Sequence, residues 1–113
     1  MRPYSASVRI ADPSGFVLYV RRSATAPTRA GQFERPAGIV EPGEHPAHTA
    51  CREVEEETGI VLVPHLLRLR EIERGANGDH YNYEATLSGR PPVRLSFEHD
   101  AYMWRPTYFF STR

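Results

Sequence analysis

Along most of this chain the apolar positions fall in short β-branched and aromatic runs, and a helical period shows once. Val8 to Ile10 and Phe16 to Val20 are two such runs, separated by Asp12-Pro13-Ser14-Gly15. Each residue of that tetrapeptide favours a turn for its own reason, so the segment predicts a hairpin. Ser23 to Gly31 is a polar loop, Phe33 to Ala37 a short extended piece, and Glu41-Pro42-Gly43-Glu44 a second turn. A helix is predicted from Pro46 to Thr58. Proline suits the first helical position, where its missing N–H costs nothing, and Gly59 suits a C-terminal cap that needs φ > 0. Ala47, Ala50, Cys51 and Val54 recur at helical spacing as a narrow stripe of small side chains, which implies close packing on a sheet.

Beyond the helix, Ile60 to Val63 and Leu66 to Glu73 look strand-like, although Leu66 to Arg70 also fits a helix. Gly75 to Asp79 is a turn and Tyr81 to Leu87 alternates as a strand. Ser88 to Pro92 is a loop, Val93 to Leu95 a short strand, and Met103 to Pro106 extended. Strands outnumber helices and the helix sits mid-chain, so the class is mixed α and β.

A length of 113 residues suits one domain, with no repeat or linker inside it. Such a chain buries roughly two-thirds of its unfolded surface, enough for one core without staples. With 14 basic and 14 acidic residues the formal charge is zero, which argues against broad capture of polymeric nucleic acid or an acidic membrane. No apolar run approaches the ~18 residues a bilayer span needs, and the opening MRPYSASVRI does not read as a signal peptide. The single Cys51 excludes an internal disulfide and a multi-cysteine zinc site. A reducing cytoplasm is the expected compartment.

Two details modify that bland total. Every basic residue is Arg, which reflects either a biased composition or the fitness of Arg for bidentate phosphate contacts. From Glu41 to Glu57 the segment carries six Glu against Arg52 alone, a local net of −5, and the remainder carries +5. On the predicted helix Glu53, Glu56 and Glu57 stand at i, i+3 and i+4, so three carboxylates share one side. Like charges so placed are tolerated where the face is solvated, or where cations sit on it. Hard divalent ions take such oxygen ligands together with waters and substrate phosphates.

The surrounding residues complete a known signature. GIVEPGEHPAHTACREVEEETGI, from Gly38 to Ile60, resembles the Nudix box, G-x5-E-x7-R-E-U-x-E-E-x-G-U with U a bulky aliphatic, and matches at every specified position. The resemblance is to the Nudix hydrolases, MutT-like, and implies an α/β/α sandwich with a mixed sheet over a single Nudix domain, residues 1–113. It implies that Glu56 and Glu57 are the principal ligands for Mg²⁺ or Mn²⁺. Glu53 is then a further ligand or the water-activating base. Arg52 would orient the Glu side chains through charge-assisted hydrogen bonds. Gly38 would bring a backbone carbonyl towards the metal, Glu44 would serve the loop–helix junction, and Gly59 the helix end.

The likeness continues on both sides of the box. Arg35-Pro36-Ala37-Gly38 stands where the family has its Pro-Gly-Gly or Pro-Ala-Gly lead-in. Val93 to Trp104, with Leu95-Ser96-Phe97-Glu98-His99, is similar to a segment of asymmetric dinucleoside-tetraphosphate hydrolases, and makes Glu98 a candidate extra ligand or base. Arg21, Arg22 and Arg35 are candidates to hold phosphates. Tyr81 and Tyr83, with Phe33 and Trp104, are either base-stacking groups or core. His99 reads as a loop hydrogen-bonding residue, and Cys51 as packing. The Arg105 to Arg113 stretch departs from the family's C-terminal helix, a lack that Tyr108, Phe109 and Phe110 or a homodimer would cover. The resemblance implies a pyrophosphohydrolase for nucleoside diphosphate derivatives, dinucleoside polyphosphates or (d)NTPs first and ADP-ribose-type sugar nucleotides second. A non-catalytic Nudix-like module that binds nucleotide or protein is the rival from another class.

Overall fold

β1 (Pro3–Ala11) and β2 (Phe16–Arg22) part almost as soon as they meet. The turn between them forms as expected. Asp12 Oδ1 accepts from the N–H groups of Ser14 and Phe16 at 2.9 Å each, and Gly15 adopts φ 88°, a left-handed conformation that suits glycine. Only Ala11 and Val17 then pair across the hairpin. In the computed structural model, which describes residues 2–106, the two strands turn to different neighbours.

β1 pairs in parallel with β6 (Gly78–Thr86) along its length, and antiparallel with β4 (Ala37–Ile39) through Ser5, Ala6 and Ser7. β2 pairs with β7 (His99–Pro106) along its length and with β3 (Phe33–Glu34) at Val20 and Arg21. β5 (Arg68–Gly75) closes the far edge against β6, joined to it through Ala76 and Asn77. The result is one mixed seven-stranded sheet with a corner at Asp12. The parallel β1/β6 pair needs a long crossover, and α1 (Pro46–Thr58) lies within it.

α1 has the predicted bounds. Pro46 occupies its first turn, Gly59 caps it at φ 76° with its N–H on Glu55 O, and His45 Nδ1 accepts from Ala47 N at 3.0 Å. Ala50 and Val54 of the stripe are buried, with Ala47 and Cys51 beside them. They pack on Ala6, Val8 and Ile10 of β1 and on Tyr83 and Ala85 of β6, together with Ile60, Leu62, Leu18 and Trp104. α1 is the α-helical layer among the described residues.

Two predicted strands are not strands. Ile60 and Leu62 are buried while Val61 and Val63 are exposed, so the alternation is real, but among the described residues no strand pairs with it. This segment ends in a 3-10 turn at Pro64–Leu66. Val93 to Leu95 is likewise unpaired in the sheet, and Arg94 N bonds instead to Thr58 O at the end of α1. β7 starts at His99, earlier than Met103, because β2 supplies a partner that far.

By strand alternation Ser5, Ser7, Arg9, His80, Asn82 and Glu84 face away from the α1 core. That face is polar: Ser7 Oγ donates to Asn82 Oδ1 at 2.8 Å, Asn82 Nδ2 donates to Glu73 Oε1 at 3.0 Å, and Arg70 pairs with Glu84 at 3.1 Å. Tyr108, Phe109 and Phe110, expected to cover a sheet face, lie outside the described residues. No helix among the described residues is long and apolar enough to cross a membrane.

Candidate active site

α1 runs beside β4, and β4 is where the chain makes room for the helix carboxylates. A methyl group on Gly38 would lie 2.1 Å from Glu53 Cδ, so any larger residue would displace that side chain. One residue earlier, Ala37 N donates to Glu57 Oε1 at 3.3 Å. Glu57 is only 4% exposed. Burial, followed by a hydrogen bond to the Glu53 carboxylate and the repulsion of its charge, pushes the Glu57 carboxyl up to about 9. Glu98 adds to this from the loop before β7. Glu53 is also raised, by burial, against the pull of Arg52. The neutral form of Glu57 is therefore favoured beside the Glu53 carboxylate. Two carboxyls brought this close in a buried place need a proton or a cation between them.

These groups open into a cavity of about 520 Å³, whose walls include Gly38, Glu53, Glu57 and Glu98. A second hollow, of about 620 Å³, lies near the C-terminal end of α1 against Gly59, Arg90 and Arg94. It holds no titratable cluster, and its Arg90 is engaged by Asp12 at 2.8 Å and by the Phe16 and Trp104 rings.

The other end of the acidic segment is built differently. Arg52 Nε and Nη2 donate to the two Glu44 oxygens at 2.8 and 2.9 Å, a bidentate pair. Glu44 also accepts from Thr49 Oγ1 at 2.7 Å and from Glu41 N at 3.0 Å. The Arg52 bonds, partly opposed by desolvation, hold its carboxyl down at about 2. The remaining Arg52 nitrogen, Nη1, reaches Glu53 Oε2 at 2.8 Å and Glu56 Oε2 at 3.5 Å. Glu44 thus fastens the loop to the helix, and Arg52 hands its second edge to the cavity carboxylates. Glu56 is exposed and its side chain lies outside the cavity wall.

Among the candidate phosphate ligands, Arg22 lines the cavity. Arg21, one residue along β2, points elsewhere: it pairs with Asp100 at 2.8 Å and lies over the Phe33 ring. Arg35 lies outside the cavity wall and acts on His80, whose pKa is lowered first by burial and then by the Arg35 charge. Tyr81 and Tyr83 stack on each other at 6.3 Å and belong to the core under α1, the packing alternative of the two that their spacing allowed.

The structure adds residues that the pattern did not single out. Arg29, Glu34 and His80 line the cavity wall, and with them His99, which the sequence had marked as a hydrogen-bonding residue. Burial would raise the Glu34 carboxyl, but hydrogen bonds from His99 and Arg29 hold it below its ordinary value. His99 Nε2 lies 3.0 Å from Glu34 Oε2, so this nitrogen carries the proton and donates. Arg22 stands 3.5 Å from the same carboxylate. Glu34 thus ties two guanidinium groups at the mouth of the site. Arg29 is the one charged residue of the loop 23–31, the only signal that could have marked it.

The donor set suits a hard divalent cation. Among the described residues no three such groups stand in finished metal-holding geometry. Glu57 stands instead with its carboxyl raised by burial, by a hydrogen bond to Glu53 and by the charges of Glu53 and Glu98, a setting that favours a proton on it. A cation in place of that proton would relieve the repulsion that raises Glu57. Carboxylate oxygens are the ligands that Mg²⁺ and Mn²⁺ prefer.

A family model described as NUDIX domain matches residues 1–107. The octanoyltransferase of Myxococcus xanthus is 36% identical over 106 residues, a match covering 88% of this chain and 29% of that protein. The chain therefore spans less than a third of the length of that curated relative. Among solved structures, a MutT Nudix hydrolase from Burkholderia pseudomallei is similar at TM-score 0.74 and 30% identity, over 96% of this chain and 86% of that one. A MutT protein from Methanosarcina mazei is similar at TM-score 0.71 and 30% identity, over 95% and 80%.

Proposed function

The chain belongs to the Nudix family, and from that premise we propose that it is a divalent-metal-dependent pyrophosphohydrolase acting on phosphoanhydride bonds of nucleoside diphosphate derivatives. The observation that carries this reading is the Glu53–Glu57 pair. It is buried beside Gly38, with both carboxyls raised first of all by that burial, and it lines one cavity with Glu98. Stability alone would select against such a pair.

In this reading Glu53, Glu56, Glu57 and Glu98 hold Mg²⁺ or Mn²⁺, with the Gly38 carbonyl beside them. The ion supplies charge neutralisation on the phosphate oxygens and a lowered pKa for its water. The chain's own part is positional. Arg52 fixes Glu53 through Nη1 and keeps Glu56 turned towards the same edge. Arg22, held by Glu34 and by its bond to Thr28 O at 2.7 Å, receives phosphate charge at the cavity mouth. Dinucleoside polyphosphates or (d)NTPs are the preferred substrates, because Leu95-Ser96-Phe97-Glu98-His99 resembles a segment of asymmetric dinucleoside-tetraphosphate hydrolases.

The test is phosphate release from a nucleotide panel with Mg²⁺ or Mn²⁺, for the native chain, Glu57→Gln and Glu56→Gln. The reading expects metal-dependent turnover and a loss of at least about 10²-fold in Glu57→Gln, the size typical of removing a positioned electrostatic group. Equal activity in the native chain and Glu57→Gln would defeat the metal assignment. Tight nucleotide binding without turnover would transfer support to the non-catalytic module.

A further inference from the structure

Phe97 is 91% exposed, the most exposed of the large apolar side chains among the described residues. A lone exposed apolar residue needs no explanation on its own. Here its backbone is pinned on both sides. Glu98 N donates to Ser96 Oγ at 3.3 Å, His99 N to Ser96 O at 3.3 Å, and Ser23 N to Glu98 O at 3.0 Å. The loop thus holds the ring out over the chain segment that follows β2.

Between the ring and that segment lies a hollow of about 190 Å³, walled by Thr25, Ala26, Pro27 and Phe97 on its apolar sides. Its remaining wall includes Arg22 and Glu98, which also line the carboxylate cavity. The two spaces thus adjoin, sharing one cation and one carboxylate in their walls. Polarity changes in order along this path, from clustered acids to a guanidinium to an aromatic and aliphatic shelf. A nucleotide can match this order, with its phosphoanhydride at the acids and the guanidinium and its base at the shelf.

We infer that Phe97 is a specificity-determining residue whose ring stacks on the nucleobase of the substrate, with Ala26 and Pro27 as the opposite edge of the slot. The inference rests on the pyrophosphohydrolase reading for the position of the phosphates. Aromatic stacking is tolerant of base identity, since every base has a π-face. The slot therefore selects for the presence of a base, and only weakly for which one.

A matched pair of non-hydrolysable probes tests it by calorimetry with Mg²⁺: the α,β-methylene analogue of ADP, and methylenediphosphonate, which has no base. Phe97→Ala is expected to weaken the nucleotide analogue about 10-fold, the size of one base–aromatic stack. Methylenediphosphonate should be unchanged. Phe97→Trp should restore nucleotide affinity and show quenched fluorescence on binding. An unchanged nucleotide affinity in Phe97→Ala, or an equal loss for both probes, overturns the stacking role and leaves the hydrolase reading standing. Base-dependent, Phe97-dependent binding in a chain that hydrolyses nothing supports the slot and removes the hydrolase reading. Failure of the native chain to bind either probe overturns both.

Discussion

Glu44 and Glu57 belong to the same acidic run, yet their surroundings treat the carboxyl group in opposite ways. Glu44 meets a bidentate guanidinium, a hydroxyl and a backbone N–H, and its pKa falls to about 2. Glu57 meets apolar packing, a second carboxyl and the field of a third, and its pKa rises to about 9. The first environment satisfies its charge completely and joins a loop to a helix. The second leaves charge unsatisfied in a place that ligand or metal can reach. Where a protein keeps a crowded buried pair, the lack of neutralisation points to an absent partner, and perturbed pairs of this kind cluster at functional sites.

Breaking the second environment should have the largest effect on activity. Glu57→Gln removes a proposed metal ligand, and phosphate-release assays should show a loss of at least about 10²-fold. Thermal melts of the same variant without metal should show little loss of stability, because a neutral amide relieves the repulsion with Glu53. Breaking the first environment should do the reverse. Glu44→Gln weakens two charged hydrogen bonds to Arg52, and denaturant unfolding should show roughly 1.5–3 kcal/mol lost. Its turnover per folded molecule should fall less than that of Glu57→Gln.

The two groups also give the metal-free chain opposite pH slopes. Glu44 has a folded pKa below its unfolded value near 4.5, so its stabilisation is present above pH 4.5 and lost as pH falls towards 2. Glu57 has a folded pKa above 4.5, so its contribution is fully present below pH 4.5 and is lost as pH rises to about 9. Melts of the native chain in chelator should therefore decline on both sides of the mildly acid range. The alkaline decline should flatten in Glu57→Gln and the acid decline in Glu44→Gln. A smaller contrast is expected on β2. Arg22→Ala should raise KM roughly 10-fold, the size of a lost charged contact, whereas Arg21→Ala, directed at Asp100 and Phe33, should leave KM within about 2-fold of native, as surface changes generally do.

Legibility in the sequence follows how local the determining physics is. Pro46 and Gly59 mark the ends of α1 through their own backbones, and the structure agrees at both ends. Ile60 to Val63 carries a strand's alternation, yet a strand also needs a neighbour, and no short window shows whether one exists. The same holds for β1 and β2, whose turn was readable while their separation depended on β6 and β7. Within the site, spacing put Glu53, Glu56 and Glu57 on one side of the helix. At about 100° per residue, however, Glu56 and Glu57 diverge. One is exposed beside Arg52 and the other is buried against Ala37. The pairing of Arg29 with Glu34 could not be read, because it joins a loop to the next strand, and only the lone charge of Arg29 in its loop hinted at it.

The most direct test of the two-environment account is Mn²⁺ or Mg²⁺ binding, measured by calorimetry on the native chain, Glu57→Gln and Glu44→Gln. The account predicts a marked loss of metal affinity in Glu57→Gln, with Glu44→Gln close to native. Native-like metal binding in Glu57→Gln, or equal losses in both variants, would contradict it.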